Sequence, residues 1–162
     1  MIFQQLSYGH LTKVVLVCRR WREIGEILRL WSSLPVIMKT GNMSLMPEIL
    51  SRARMQGLKK LIIEAPLSET VSQTIVRHPG LREINFNSML GVDPGLLAKA
   101  VTKQETLKVG RKLTKQQAEA ILTAVIEGSK LTKLEITPND LLGVDPGLLA
   151  KAVTKLDTLD IK

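Results

Sequence analysis

A short pattern of alternating apolar and polar positions recurs along the chain after residue 57. Its copies begin at residues 58, 81, 104, 131 and 156, so successive starts are 23, 23, 27 and 25 residues apart. An apolar residue at every second position is typical of a β-strand that buries one face. A degenerate first strand is expected over residues 35–40. The inward positions of the five clear strands are Leu58/Leu61/Ile63, Leu81/Ile84/Phe86, Gln104/Leu107/Val109, Leu131/Leu134/Ile136 and Leu156/Leu159/Ile161.

Between these strands the apolar spacing lengthens to three and four residues, which is typical of amphipathic helices. Two helices are expected over Ser44–Met55 and Ser68–His78, and three more follow downstream. The pattern therefore predicts about six strands joined by five crossover helices. The stripe positions are Leu96, Leu97, Ala100 and Val101 in one helix and Ala118, Ile121, Leu122 and Val125 in the next.

Capping residues stand where the downstream helices should begin and end. Asp93-Pro94 and Asp145-Pro146 each place a carboxylate before a proline, whose missing N–H costs nothing in the first helical turn. Thr114 with Gln117 has the spacing of a capping box, and Gly128 is a typical helix stop. These local signals agree with the apolar periodicity.

One segment occurs twice, because Leu90–Lys103 and Leu142–Lys155 both read LGVDPGLLAKAVTK. The offset of 52 residues corresponds to two strand-helix units, so the chain contains an internal duplication. Parallel strands joined by right-handed crossovers stack into a solenoid, because no unit can bury its apolar face alone. We predict an α/β solenoid with strands on the concave face and helices on the convex face.

The fourth strand continues through Asn139 and Leu141, completing the pattern L-x-x-L-x-I-x-x-N-x-L. This pattern resembles the leucine-rich repeat, and residues 34–162 resemble leucine-rich-repeat proteins of the ribonuclease-inhibitor-like type. The resemblance implies a right-handed leucine-rich-repeat solenoid that binds another protein. It also implies that Asn139 turns inward and satisfies backbone groups after the strand.

Residues 2–31 resemble the latter two thirds of an F-box, which docks on the adaptor subunit of a cullin-type ubiquitin ligase. The opening Leu-Pro and the acidic turn of that family are absent, and His10 stands where an acidic residue is usual. We therefore assign residues 1–33 to an incomplete F-box-like helical cap. The matching positions are Ile2, Phe3, Leu6, Leu11, Val14, Val17, Cys18, Arg19, Trp21, Arg22, Ile24 and Trp31, of which Ile2, Phe3, Leu6, Leu11, Val14, Val17 and Trp21 are the predicted adaptor-binding residues.

Two functions remain open from the sequence. The first is substrate recognition for a ubiquitin ligase, with the F-box-like segment facing the adaptor. The second is a freestanding leucine-rich-repeat binding scaffold, natural or engineered, whose N-terminal helices only cover the end of the solenoid. In that case Leu11, Val14, Val17, Trp21 and Trp31 are expected to be buried against the first repeat.

A protein partner of the solenoid is expected to contact the strand positions that alternate with the inward residues. Charge reversal at Lys108 and Lys133 should then weaken partner binding without unfolding the chain. These predicted partner-binding residues are Lys60, Ile62, Glu83, Asn85, Thr106, Lys108, Lys133, Glu135, Thr158 and Asp160.

Composition narrows the function further. The formal charge is +8, and residues 1–60 hold ten Lys and Arg against three Asp and Glu. Aromatic residues make up only 3% and are not interleaved with the cations as a stacking platform would require, which argues against nucleic acid. Cys18 is the single cysteine, so no internal disulfide can form. We expect a cytoplasmic or nuclear protein with no membrane segment.

Catalysis is not expected, because only His10 and His78 could act as bases near neutral pH and neither belongs to a recognised nucleophile motif. His78 precedes Pro79-Gly80, where a cation would suit a helix C-terminus. No metal-ligand cluster or phosphate-binding glycine loop appears in the sequence, so neither a metal site nor a cofactor is predicted.

The C-terminal repeat is expected to lack a cover. The inward residues Leu156, Leu159 and Ile161 have no next layer in the sequence, and apolar helix residues cover them from one side only. An uncovered strand edge attracts a second chain. We therefore expect concentration-dependent self-association through this repeat. The covering helix residues are Leu148, Leu149 and Val153.

Overall fold

Six short strands form one parallel sheet in the computed structural model, which describes residues 8–14, 16–25, 32, 34–87, 92–110 and 113–161. The strands lie in sequence order from β1 to β6, each pairs in parallel with the next, and the sheet does not close on itself among the described residues. The strands are β1 Val36–Met38, β2 Lys60–Ile63, β3 Glu83–Phe86, β4 Thr106–Val109, β5 Lys133–Ile136 and β6 Thr158–Ile161.

Helices alternate with the strands, as the apolar spacing predicts. Each neighbouring strand pair is joined by one α-helix, so the described residues contain six strands and five crossover helices, in agreement with the prediction. This arrangement is compatible with a solenoid. The helices are α1 Tyr8–Val14, α2 Arg19–Gly25, α3 Met46–Ser51, α4 Glu69–Arg77, α5 Pro94–Val101, α6 Lys115–Ile126 and α7 Pro146–Val153.

The core lies between the sheet and the crossover helices. In β2 to β5 the second and fourth residues are buried, whereas the first and third are half-buried. Burying one such aliphatic side chain contributes about 1.5–3 kcal/mol relative to leaving it in water. Among the buried residues are Leu61, Ile63, Ile84, Phe86, Leu107, Val109, Leu134 and Ile136 from the strands, and Val71, Ile75, Leu97, Val101, Ile121 and Leu122 from the helices.

The predicted caps hold the downstream helices. The Asp93 side chain accepts a hydrogen bond of 2.9 Å from the backbone N–H of Leu96. Thr114 and Gln117 exchange both bonds of the capping box at the start of α6. After α6, Gly128 has a φ of +109°, a conformation that side chains other than glycine rarely adopt. These local predictions are confirmed.

The segment after β1 differs from the predicted helix over Ser44–Met55. Residues Thr40–Leu45 form a 3₁₀ turn, and α3 begins only at Met46. A second 3₁₀ turn, Ala53–Gly57, follows α3. The predicted single helix is therefore three short pieces, because Pro47 favours a helix start at this point and cannot sit inside a longer helix.

Gln104 occupies a core position that leucines fill in the other units. By the strand register it is equivalent to Leu81, and it is 1% exposed. Its Oε1 atom accepts no hydrogen bond from the described residues. A buried amide oxygen without a donor lowers stability, so the polar residue in this layer is costly.

Candidate protein-interaction surfaces

The sheet face that points away from the helices, here called the open face, carries two rows of side chains. The rows arise because equivalent residues of neighbouring strands pair directly. All the predicted partner-binding residues lie in these rows, and Ile37, which the sequence analysis did not single out, joins them. One row is Lys60, Glu83, Thr106, Lys133 and Thr158, and the other is Ile37, Ile62, Asn85, Lys108, Glu135 and Asp160.

Ion pairs between strands occupy the middle of the open face. Lys60 Nζ lies 2.8 Å from Glu83 Oε1. Further along, Glu135 Oε1 lies 2.8 Å from Lys108 Nζ and 3.3 Å from Lys133 Nζ, so two ammonium groups converge on one carboxylate. The Glu135 side chain is only 13% exposed, so it is the most buried member of this cluster, and the two lysines are more exposed.

Charged residues at the margins of the open face also form ion pairs. Arg82 contacts Glu105 on the following unit, and Lys39 Nζ lies 3.9 Å from Glu64 Oε2. Such exposed ion pairs contribute at most about 1 kcal/mol each. Because each pair costs little to break, a protein partner can replace one member with its own charged group.

A pair of apolar residues, here called the apolar step, interrupts the charged rows at the N-terminal edge of the sheet. Ile37 of β1 pairs directly with Ile62 of β2, and both point to the open face. Ile37 is 38% exposed and Ile62 is half-buried. The period of two in the degenerate first strand would have been enough to find Ile37. The step gives the open face an apolar contact beside its ion pairs.

Two buried polar side chains tie their units to the backbone of the preceding unit. His78 Nε2 donates to the carbonyl oxygen of Met55 at 2.9 Å. Gln117 Nε2 donates to the carbonyl oxygen of Val92 at 2.8 Å. These bonds satisfy buried backbone groups at the turns that hold the strands of the open face in register.

Burial changes the expected role of His78. The side chain is 6% exposed, and desolvation lowers the pKa of its imidazole below the usual 6.5, an effect that the hydrogen bond to Met55 opposes. The neutral form is therefore favoured in the folded protein. The cation that the sequence analysis considered for this helix end is therefore disfavoured, because the ring turns inward at the start of the next unit.

The residue that turns inward after β5 is Asp140 and not Asn139. Asn139 is exposed, whereas Asp140 is 2% exposed in a 3₁₀ turn over Pro138–Leu141. The Asp140 Oδ2 atom accepts hydrogen bonds from the backbone N–H of Thr137 at 3.2 Å and from its hydroxyl at 2.5 Å. Because the chain forms a 3₁₀ turn here, the side chain that faces inward is one residue later than the pattern predicts.

The N-terminal helices pack on the core through one side only. Leu11 is 0% exposed and belongs to the core cluster, against which Ile24 also packs. Val14 is half-buried. The capping hypothesis expected Val17 and Trp21 to be buried, but they are 63% and 40% exposed.

These helices therefore present a surface that combines apolar and cationic groups. Leu16, which precedes Val17, is 75% exposed. Arg20 and Arg22, which flank Trp21 along α2, are exposed as well. Leu11 lies in the core and not on this surface. Of the other predicted adaptor-binding residues, Ile2, Phe3 and Leu6 lie outside the described residues, as does Trp31 of the capping hypothesis.

No helix in the described part of the chain is both long enough and apolar enough to cross a bilayer. No group of three or more His, Cys, Asp or Glu side chains in the described ranges could hold a metal ion.

Comparisons with known proteins bear on the N-terminal helices. No curated protein matches the chain. An F-box-like domain is a protein-interaction module rather than a catalytic one, and it implies protein partners. Residues 1–34 match the F-box-like family model, so the segment that carries the exposed apolar and cationic surface is F-box-like.

Proposed function

We propose that the chain recognises substrates for a cullin-type ubiquitin ligase. In this proposal the F-box-like cap, residues 1–33, binds the adaptor subunit, and residues 34–162 form a leucine-rich-repeat solenoid that holds a substrate protein on the open face. The observation that carries the proposal is the F-box-like match over residues 1–34. Such a receptor would act in the cytoplasm or the nucleus.

The geometry of the cap supports adaptor binding. A helix pair that served only as a cover would turn its large apolar side chains inward, but Leu16, Val17 and Trp21 are exposed. Exposed apolar groups beside arginines are typical of a protein interface. Leu11 and Ile24 anchor the pair on the core, so a bound adaptor would be held firmly against the repeats.

The open face supports substrate binding. Its lysines and carboxylates are already arranged in ion pairs, and Ile37 and Ile62 add an apolar contact. A folded scaffold with preorganised side chains loses little conformational entropy on binding. The expected substrate-binding residues remain those of the two rows.

Binding of the purified adaptor subunit tests the first half of this proposal. The intact chain is expected to co-elute with the adaptor at micromolar concentration. Trp21→Ala should weaken binding by about 30-fold, because aromatic residues at the centre of an interface contribute about 2 kcal/mol or more. Lys130→Glu, an exposed change on the turn after α6, is the matched control and should bind normally.

A freestanding binding scaffold is the second candidate, and the burial of Leu11 favours it. This side chain is 0% exposed in the core cluster, as expected if the N-terminal helices cover the first strand. Absence of adaptor binding by the intact chain would exclude the ligase role and leave this function.

A further inference from the structure

The outward side chains change in character from strand to strand across the open face. The row that begins at Ile37 continues through Ile62, Asn85, Lys108 and Glu135, and each of these residues pairs directly with the next. Two apolar side chains are therefore followed by an amide and then by a charged pair. A partner that lies across the strands meets these groups in this fixed order.

The group formed by Lys108, Lys133 and Glu135, here called the lysine cluster, presents positive charge to solvent. The two ammonium groups lie 2.8 and 3.3 Å from the same oxygen of Glu135, so the cations outnumber the carboxylate. Both lysines are also more exposed than the glutamate. Because an ammonium group has three N–H donors, a carboxylate of the partner can bind both lysines from the solvent side while their bonds to Glu135 are kept.

Asp160 confines this attraction to one place. It pairs with Glu135 in the register of β5 and β6, on the side of Glu135 that faces away from Lys108. An acidic group of the partner that lay over β6 would be repelled. The favourable position for a carboxylate of the partner is therefore over β4 and β5.

The surface between the apolar step and the lysine cluster carries no net charge. Asn85 and Thr106 are uncharged. Lys60 Nζ lies 2.8 Å from Glu83 Oε1, so these two charges neutralise each other. A partner is therefore selected by what it places at the two ends of this surface and by the distance between those groups.

An α-helix matches that distance. Ile62 on β2 and Lys108 on β4 are two strand spacings apart, which is about 10 Å. Residues seven apart in a helix lie on the same face and are separated by about 10.5 Å. Ile37 lies one further strand spacing away, which corresponds to a helical residue three positions earlier. A helix also bonds its own backbone groups, whereas an extended segment lying across this face would find no strand edge to pair with.

We propose that the open face binds an amphipathic helix of the partner protein, with aliphatic residues at positions i−3 and i and an acidic residue at i+7. The aliphatic residues contact Ile37 and Ile62, and the carboxylate binds between Lys108 and Lys133. This substrate class rests on the proposed function, which takes the open face as the substrate site. Charge and spacing must match together, so an acidic helix without the aliphatic pair binds more weakly.

Two synthetic helical peptides of equal length and composition test the spacing with the intact chain. Both carry leucines at i−3 and i. The glutamate stands at i+7 in the first peptide and at i+5, turned away from the leucines, in the second. Fluorescence anisotropy titrations should show that the first peptide binds at least about fivefold more tightly, because only its carboxylate can reach the lysine cluster.

An exchange of charge between protein and peptide locates the carboxylate. Lys108→Glu with Lys133→Glu should weaken binding of the first peptide about tenfold. The same variant should bind a peptide with lysine at i+7 more tightly than the unchanged chain does, and this gain also shows that the variant is folded. Lys99→Glu, at an exposed site on α5, is the control and should leave the affinities for both peptides unchanged.

Ile37→Ser tests the apolar end of the site. The change removes an aliphatic contact at a side chain that is 38% exposed, so binding of the first peptide should weaken about threefold or more. The preference for glutamate over lysine at i+7 should persist, because the lysine cluster is unchanged.

Equal affinity for the two glutamate peptides would overturn the proposal, because the spacing would then not be recognised. Tighter binding of the first peptide that neither the double lysine variant nor Ile37→Ser weakens would also overturn it, since the helix would then lie elsewhere. The adaptor takes no part in these titrations. A failure here would leave adaptor binding intact, and a failure of adaptor binding would leave the peptide affinities unchanged, so the two failures are distinguishable.

Discussion

The Oδ1 atom of Asp140 accepts a hydrogen bond of 2.6 Å from the backbone N–H of Leu113, 27 residues earlier in the chain. The Oδ2 atom of the same carboxylate closes the turn that begins at Thr137. One buried side chain therefore links two consecutive units and shapes the turn after β5. Because the neighbouring residue, Asn139, is exposed, the chain offers a matched test of this role.

Asp140→Ala is expected to destabilise the fold by about 2–3 kcal/mol, because it leaves buried backbone donors without an acceptor and removes bonds to a charged group. Asn139→Ala should change the free energy of unfolding by no more than about 0.5 kcal/mol, as is usual for an exposed position. Urea denaturation of both variants measures the difference. Equal effects would contradict the assignment of the inward position.

Gln104→Leu is expected to stabilise the protein by about 1 kcal/mol. The change removes an amide oxygen that has no described donor and restores the aliphatic layer formed by Leu81 and Leu131. Thermal unfolding should show a higher midpoint. Gln116→Leu, at an exposed site on α6, serves as the control and should not raise it. A lower midpoint for Gln104→Leu would mean that the amide makes a stabilising contact that leucine cannot make.

Stability should fall as the pH drops below about 6.5, because His78 is buried with a lowered pKa. Below pH 6.5 the His78 imidazole binds a proton more readily in the unfolded chain than in the folded protein. The stabilisation that neutral His78 contributes is therefore complete above pH 6.5 and is lost as the pH falls through the pKa of His78 in the folded protein. Urea denaturation at several pH values measures the slope. His78→Gln should flatten it, whereas His10→Gln, at an exposed site, should not.

Charge reversal at Lys108 and Lys133 is expected to weaken binding of the protein partner without unfolding the chain. The two lysines converge on Glu135, so the double variant gathers three carboxylates on the open face and repels an acidic group of the partner. Because the Glu135 side chain is only 13% exposed, losing both of its lysine partners should cost more than the loss of an exposed ion pair, about 1.5–3 kcal/mol, but should leave the chain folded. Affinity and unfolding free energy must be measured together.

Lys103→Glu with Lys130→Glu is the matched control for this pair, because both residues are exposed on the turns that follow helices. The control should keep full affinity for the partner. If affinity survives reversal at Lys108 and Lys133 but falls in the control, the binding site lies on the helical or loop surface instead of the open face.

Much of the fold follows from spacing alone. The period of two marked each strand, and the capping residues Asp93, Thr114 and Gly128 marked helix ends, because these signals act within a few residues of where they stand. The two rows of the open face followed from the same period. The pairing of Lys108 with Glu135 did not, since it depends on the strand register.

The features that the sequence did not predict correctly also share a cause. Asn139 was expected to turn inward, the capping hypothesis expected Val17 and Trp21 to be buried, and the burial of His78 was not predicted. In each case the outcome depends on a group more than twenty residues away or on the exact geometry of a turn. The Met55 carbonyl decides the orientation of His78.

The two copies of LGVDPGLLAKAVTK separate what local sequence dictates from what packing dictates. Both copies form the same helix, which begins at Pro94 or Pro146 after a capping aspartate, because cap chemistry and apolar spacing are properties of the segment itself. Yet Val101 is 0% exposed and Val153 is 42% exposed. Burial is a relation between elements: α5 packs between α4 and α6, whereas among the described helices α7 packs against α6 alone, and this difference separates two identical stretches of chain.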